Sequence, residues 1–304
     1  MLLASMAGQR CEAVALFPGP PASLIENKQD IAPTAIPADK SRSRLAVRPR
    51  ATACISSQPG CGVGCPFCAT GQLGYRGNLT TPEIVEQVYW AGCIARQHRR
   101  WLRNVVFMGM GEPLHNFAST MQAIQLLTDD EYFGLPQKRI TVSTVGVPAA
   151  MLKLVNRFRN IRIALSLHSA QSELRRKLVP KAMNQLSSLR EAIVAINLQQ
   201  SCPVWLEVVL LAGVNDGLED IDALLVFCQG LNVEVNLIPY NATTNSLGFA
   251  ATAQSRREQI AQTLRAAGIR TTLRTSFGAE QQAACGQLTT AASESATYDF
   301  AGKK

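Results

Sequence analysis

Residues 52–75 read TACISSQPGCGVGCPFCATGQLGY and hold Cys54, Cys61, Cys65 and Cys68, four of the nine cysteines of the chain. Cys61, Cys65 and Cys68 are spaced C-x3-C-x2-C. Three thiolates on one short loop can hold three irons of a cubic iron–sulfur cluster. A closed site uses four cysteines, so three leave one iron open to a ligand that is not protein. Gly60, Gly62 and Gly64 let the backbone wrap closely around an inorganic core, and Phe67 is placed to shield one side of it. The rival reading is a zinc knuckle. Zinc takes four ligands, as two C-x2-C pairs or with histidine; this stretch offers one such pair and no histidine. A disulfide framework fits poorly with a long chain that opens without a secretory signal.

Composition sets the outer bounds. The chain has 304 residues, 47% hydrophobic and 17% charged, enough for one large α/β domain with a sizeable core. A net charge of +8 favours a polyanionic partner. No apolar run reaches the length of a membrane span, and the thiol-rich composition suits a reducing cytoplasm. A soluble, cytoplasmic monomer with no membrane contact is expected.

Working outward, the chain divides into three regions. Residues 1–50 form a Pro/Ala/Ser-rich extension that ends in a basic run, Lys40, Arg42, Arg44, Arg48 and Arg50. It reads as mostly irregular, with one strand-like alternation in CEAVALF, 11–17. Residues 51–276 alternate apolar strands with amphipathic helices. Strands are expected at 52–56, 103–109, 139–145, 162–168, 204–211, 233–239 and 269–275. Helices are expected at 81–98, 116–128, 149–157, 187–199, 218–231 and 252–267, the first with Thr81 as N-cap and Pro82 in its first turn. This pattern predicts parallel βαβ units and a partial (β/α)6-type barrel. Residues 277–304 follow as a C-terminal segment that carries Cys285.

In parallel barrels reactive groups gather at the C-terminal strand ends, and the unusual residues fall there. The second strand runs into GMGEPLHN, 109–116, where Gly111 permits close backbone approach and Glu112 supplies an acceptor for an ammonium group. Ser143, Ser166, Leu167 and His168 end the third and fourth strands, and Asn241 follows the sixth. On composition alone the two serines are ordinary strand-end hydroxyls and His168 equally a satisfied core histidine. Arg96, Arg99, Arg100 and Arg103, and Arg175, Arg176, Lys177 and Lys181, form two basic clusters. Each reads either as a phosphate contact or as a solvated helix end. Cys93 and Cys228 read as packing residues.

The loop resembles the signature of radical S-adenosylmethionine (SAM) enzymes. Its longer run, CISSQPGCGVGCPFCATGQLGYRGNLT, resembles one branch, the RlmN/Cfr group of RNA adenosine methyltransferases, over about residues 50–288. The resemblance implies a [4Fe-4S] cluster on Cys61, Cys65 and Cys68, with SAM at its open iron. It implies SAM contacts at Gly111, Glu112, Ser143, Ser166, Leu167, His168 and Asn241. It further implies a methyl-carrying Cys285 in ACGQL, a second catalytic cysteine at Cys54, and a Cys54–Cys285 disulfide after turnover. The family's general base, a glutamate on a strand before the cluster loop, matches Glu12, with Glu26 as runner-up; about thirty extra residues separate Glu12 from Cys54. The activity implied is methylation of an adenosine base carbon, C2 in preference to C8, of rRNA or tRNA, with a flavodoxin or ferredoxin as electron donor. A radical-SAM enzyme of another reaction class, or a non-catalytic iron–sulfur RNA-binding protein, is the alternative. The family's N-terminal accessory domain has no counterpart in this sequence.

Overall fold

A computed structural model of the protein describes residues 2–4, 10–17, 49–182, 185–242, 248–274, 286–288 and 297–298. In chain order the elements are β1 (Leu2–Ala4), β2 (Arg10–Glu12), β3 (Val14–Leu16), β4 (Arg50–Cys54), α1 (Ala69–Gln72), α2 (Thr81–Gln97), β5 (Trp101–Phe107), α3 (Phe117–Thr128), β6 (Ile140–Thr144), α4 (Pro148–Arg157), β7 (Arg162–Ser166), α5 (Ser172–Leu178), α6 (Leu186–Gln199), β8 (Val204–Leu210), α7 (Leu218–Cys228), β9 (Val233–Pro239), α8 (Gln254–Ala266), β10 (Arg270–Leu273) and β11 (Thr297–Tyr298). An eight-stranded sheet runs in the order β10-β9-β8-β7-β6-β5-β4-β3. Strands β4 to β10 are mutually parallel, and β3 closes one edge antiparallel to β4. The sheet curls into a half-barrel, as the alternating strands and helices predict.

The two faces of this sheet differ in what they bury. Val105, Phe107, Ile140, Val142, Ile163, Leu165, Leu206 and Leu237 join one hydrophobic core with Ile84, Ile124, Leu154, Ile193 and Ile260 of the helices. Each such side chain contributes about 1.5–3 kcal/mol when fully buried, so the outward face carries the stability. The alternate positions on the same strands line the concave face, and these are polar. Asn104 Nδ2 donates to Thr52 Oγ1, Asn236 Nδ2 donates to Glu207 Oε1, and the hydroxyls of Ser143 and Ser166 lie 3.3 Å apart.

Several expectations shift in detail. Thr80, not Thr81, caps α2: Glu83 N donates to its side chain, and Thr80 N donates back to Glu83 Oε2, a reciprocal capping box. The stretch 11–17 is not one strand. Ala13, wholly buried, separates β2 from β3, which belong to different sheets, β2 joining β1 and β11 in a small three-stranded sheet. Among the described residues before β4 there are thus three short strands, β1, β2 and β3. Helix α5, SELRRKL, was not among the expected helices; seven residues are too few to show an apolar periodicity.

Candidate active site

The loop between β4 and α2 is held by side-chain amides. Gln87 of α2 accepts from Ser56 N at 2.7 Å and donates to Ser56 O at 3.0 Å. Asn116 Nδ2 donates to Ser57 O and Leu79 O, at 2.9 and 2.7 Å. Gln58 accepts from Glu112 N at 2.9 Å while its Nε2 donates to Asn78. The loop closes on itself where Cys61 N donates to Gly74 O, and a Cβ on Gly60 would collide with that same oxygen. Gly111 has φ of 94°, and a Cβ there would lie 2.5 Å from Cβ of Gln58. Glycine is therefore required at Gly111 both by conformation and by space. Gln58, Gln87 and Asn116 escaped the sequence reading because amides in a polar loop carry no periodic signal.

The three thiols of the loop interact with one another electrostatically. Burial pushes Cys61 up to about 12 and raises Cys65 and Cys68. Amides nevertheless point at two of the sulfurs: those of Val63 and Gly64 at Cys61, and those of Gly71 and Thr70 at Cys68. Amide donors aimed at buried sulfurs suit iron-bound thiolates. Among the described residues no three His, Cys, Asp or Glu side chains converge on a single-ion position. Three thiols on one loop, two of them faced by backbone amides, fit a cubic cluster in which each sulfur takes its own iron.

Glu112, 2% exposed, stands beside this loop. Its Oε1 accepts from Leu114 N at 2.9 Å and its Oε2 from Val145 N at 2.7 Å. Burial pushes its carboxyl up to about 7, against hydrogen bonds from Val145, Leu114 and Thr144 that lower it. These three bonds leave about one of the carboxylate's four acceptor positions for a ligand donor. Ser143 and Ser166 are partly exposed on the same concave face. Leu167 is wholly buried in the outward core, so its side chain faces away from the mouth. His168 is buried with φ of 57°. Its Nδ1 accepts from Val209 N at 3.2 Å, which leaves the ring proton on Nε2. Burial first, then Arg175, lowers its pKa to about 3, so the ring is neutral. Its edge packs on Phe67, with centroids 4.9 Å apart. The histidine is thus both a satisfied buried group and a wall of the loop.

Arg175 and Arg100 depart from the expectation of surface clusters. Arg175 is wholly buried; its Nη2 donates to Val145 O at 2.6 Å, and it interacts electrostatically with Cys65. Arg100 is 6% exposed and donates to Arg50 O. Neither side chain lies open to an RNA phosphate.

The backbone of Glu12 is tied to Ser56 and Met110 across the intervening residues. Ser56 Oγ donates to Glu12 O at 2.5 Å, and Glu12 N donates to Met110 Sδ at 3.4 Å. The glutamate lies between the end of β4, where Cys54 is buried, and the Gly111–Glu112 turn. Cys285 lies outside the described residues, as do Glu26 and the basic run from Lys40 to Arg48. The three residues after Cys285 are docked on the cluster loop. Ala69 N donates to Gly286 O at 2.8 Å, and Thr70 Oγ1 donates to Leu288 O at 2.7 Å. Gln287 Nε2 donates to Ala242 O, next to Asn241, which is partly exposed after β9. Of the residues expected at the site, Cys61, Cys65, Cys68 and Glu112 lie close enough to interact electrostatically, Gly111 directly precedes Glu112, His168 reaches the loop through Phe67, and Cys54 ends β4.

A model of the Radical SAM superfamily matches residues 55–227. The chain is a radical SAM protein. It is 46% identical over 240 residues to a "Probable RNA methyltransferase" of Rhodopirellula baltica, covering 79% of this chain and 63% of that protein. It is 41% identical over 261 residues to a "Probable dual-specificity RNA methyltransferase RlmN" of Pelodictyon phaeoclathratiforme, covering 83% of this chain and 72% of that one. This radical SAM chain therefore belongs to the RlmN family, and spans about two thirds of the length of these relatives. The crystal structure of a radical SAM methyltransferase from Sphaerobacter thermophilus superposes with a TM-score of 0.82, at 36% identity, covering 95% of this chain and 76% of that one. No helix among the described residues is long and apolar enough to cross a membrane.

Proposed function

We propose that this protein methylates an adenosine base carbon of RNA, C2 in preference to C8, in rRNA and also in tRNA, with Cys285 as the methyl carrier. The observation that carries the reading is the docking of Gly286–Leu288 on the three-thiol loop, beside the buried Glu112. An ordinary methyl transfer would fail at C2, because that carbon is not nucleophilic. Bound on Cys61, Cys65 and Cys68, a reduced [4Fe-4S] cluster with SAM supplies a carbon radical able to abstract hydrogen. A flavodoxin or ferredoxin supplies the electron.

The chain's own residues do the rest. Glu112 as carboxylate accepts from the SAM ammonium, with Gly111 keeping the backbone clear of it. Ser143, Ser166 and Asn241 offer hydrogen bonds, and neutral His168 holds Phe67 against the loop. The Cys285 thiolate accepts a methyl group from one SAM, releasing S-adenosylhomocysteine. Glu12 takes the C2 proton once the carbon–carbon bond has formed, and the adduct's unpaired electron would return to the oxidised cluster. Cys54 then attacks the Cys285 sulfur; the released carbon takes up a proton to complete the methyl group, and a disulfide is left. The target base must be splayed from its stack to reach the mouth.

The test is anaerobic incubation with SAM, reductant and rRNA fragments, read by mass spectrometry. A methyl on the Cys285 peptide, 2-methyladenosine in the RNA, and loss of both in Cys285→Ala are expected. Formation of 5′-deoxyadenosine without a methyl on Cys285 would assign another radical-SAM reaction.

A further inference from the structure

Four arginines stand together at the opposite end of the concave face. Arg50 begins β4, Arg139 immediately precedes β6, and Arg162 begins β7. Each lies four residues before a candidate site residue of the same strand: Cys54, Ser143 and Ser166 respectively. Side chains alternate with period two, so Arg50 and Arg162 share a face with their site residues, about 13 Å below them at roughly 3.3 Å per residue; Arg139 ends a 3-10 turn, Gln137–Arg139, directly before β6. Arg103 joins them where the β4–β5 register slips: Ala51 pairs with Leu102 and Thr52 with Asn104, leaving Arg103 as the extra residue of a bulge, a device that re-aims a side chain. That the four are near one another shows in Arg139, whose guanidinium is held below the usual arginine range by partial burial, then by Arg103, Arg162 and Arg50. Trp205 adjoins, with Arg162 and Arg274 over its ring at 5.2 and 5.1 Å.

Among the described residues none of these four guanidiniums has a hydrogen-bond or carboxylate partner. The acids on this face are engaged elsewhere. Glu207 accepts from Asn236 and faces Arg274, and Glu234 accepts from Thr272. Four cations gathered from four successive strands repel one another, and among the described residues only the Trp205 ring under Arg162 offsets part of that cost.

We propose that this floor binds phosphate groups of the RNA whose base enters the mouth above it. The inference rests on the reading of the protein as an RNA methyltransferase. Guanidiniums suit phosphate by charge and by forked geometry.

The experiment is fluorescence anisotropy with a labelled single-stranded RNA, titrated across salt, on the full chain and on Arg103→Gln/Arg139→Gln and Arg103→Lys/Arg139→Lys. Losing two phosphate contacts lowers the slope of log K against log salt by about 1.4, and weakens binding roughly tenfold near physiological salt. The lysine pair is expected to keep most of the slope. Thermal melting of the glutamine pair is expected to hold or rise, because repulsion is relieved, whereas a structural role would lower it. If wild type binds RNA and the glutamine pair binds with the same slope, the arginines are merely solvated and the inference is overturned. Loss of reduction by an acidic flavodoxin with RNA binding intact would assign the floor to an acidic protein and overturn it too. Failure of wild type to bind or methylate any RNA would remove the RNA reading itself, and this inference with it.

Discussion

The cluster loop and the three residues that follow Cys285 meet at one mouth, but they are held there differently. The loop's backbone is gripped by Gln87 and Asn116, and its own Gln58 side chain is tied to Glu112 N. Gly286–Leu288 are held by Ala69 N, the Thr70 hydroxyl and the Gln287 amide, with Leu288 buried beneath. Buried amide networks fix a geometry because a half-broken one leaves desolvated groups behind. A few peripheral bonds, each worth about 1 kcal/mol net, hold a segment that can also be released. The difference matches the tasks proposed: a cofactor that must stay still, and a thiol that must serve two partners in turn.

The largest expected effect comes from breaking the fixed side. In Gly111→Ala the new methyl meets Gln58 while the backbone stays at positive φ. Strain and overpacking together cost about 4 kcal/mol. Iron content and the visible absorbance of the reconstituted protein are expected to collapse. Asn116→Ala leaves Ser57 O and Leu79 O without their shared donor. A loss of about 2–3 kcal/mol in denaturant unfolding is expected; a neutral result would refute the amide-clamp account of the loop.

Glu112 sharpens the comparison through pH. Its carboxyl holds a proton up to about 7 in the folded protein, against 4.5 ordinarily. The folded state therefore binds the proton more tightly. Stability from this group is fully present below about 4.5 and is lost as pH rises through about 7, amounting to about 3 kcal/mol. Unfolding of the cluster-free protein at several pH values, compared with Glu112→Gln, checks the sign, since the variant should lack this slope. A ligand ammonium selects the carboxylate, so SAM affinity is expected to rise with pH and level off above about 7. The smallest effect is on the lightly held side. Thr70→Val removes the bond to Leu288 O at about 1 kcal/mol. Faster hydrogen exchange at Gly286–Leu288, with the loop unchanged, is the expected signature.

Much of this site was legible in the sequence because its constraints are local. Three cysteines within eight residues, glycines where backbone must approach, and a glutamate directly after Gly111 each announce their chemistry by spacing. What stayed hidden depends on partners far along the chain. Arg175 looks like its neighbours Arg176 and Lys177 until α5 turns it inward beneath Val145. Ala13 looks like one step of a continuous strand until the chain changes sheets there. The floor arginines are single basic residues at strand starts, and only the parallel registers bring them together.

The pairing of β1 with β11 has a consequence for reach. The stretch bearing Cys285 is bracketed by β10 on one side and β11 on the other, and β11 is bound to a strand made at the very beginning of the chain. Such a stretch is cinched at both ends. With a strand on either side, returning Gly286–Leu288 to the cluster loop costs the closure entropy of a loop of about twenty residues, less than that of a free tail. Its local concentration at the mouth stays high through every cycle, so a weak clasp suffices where a free tail would need a strong one.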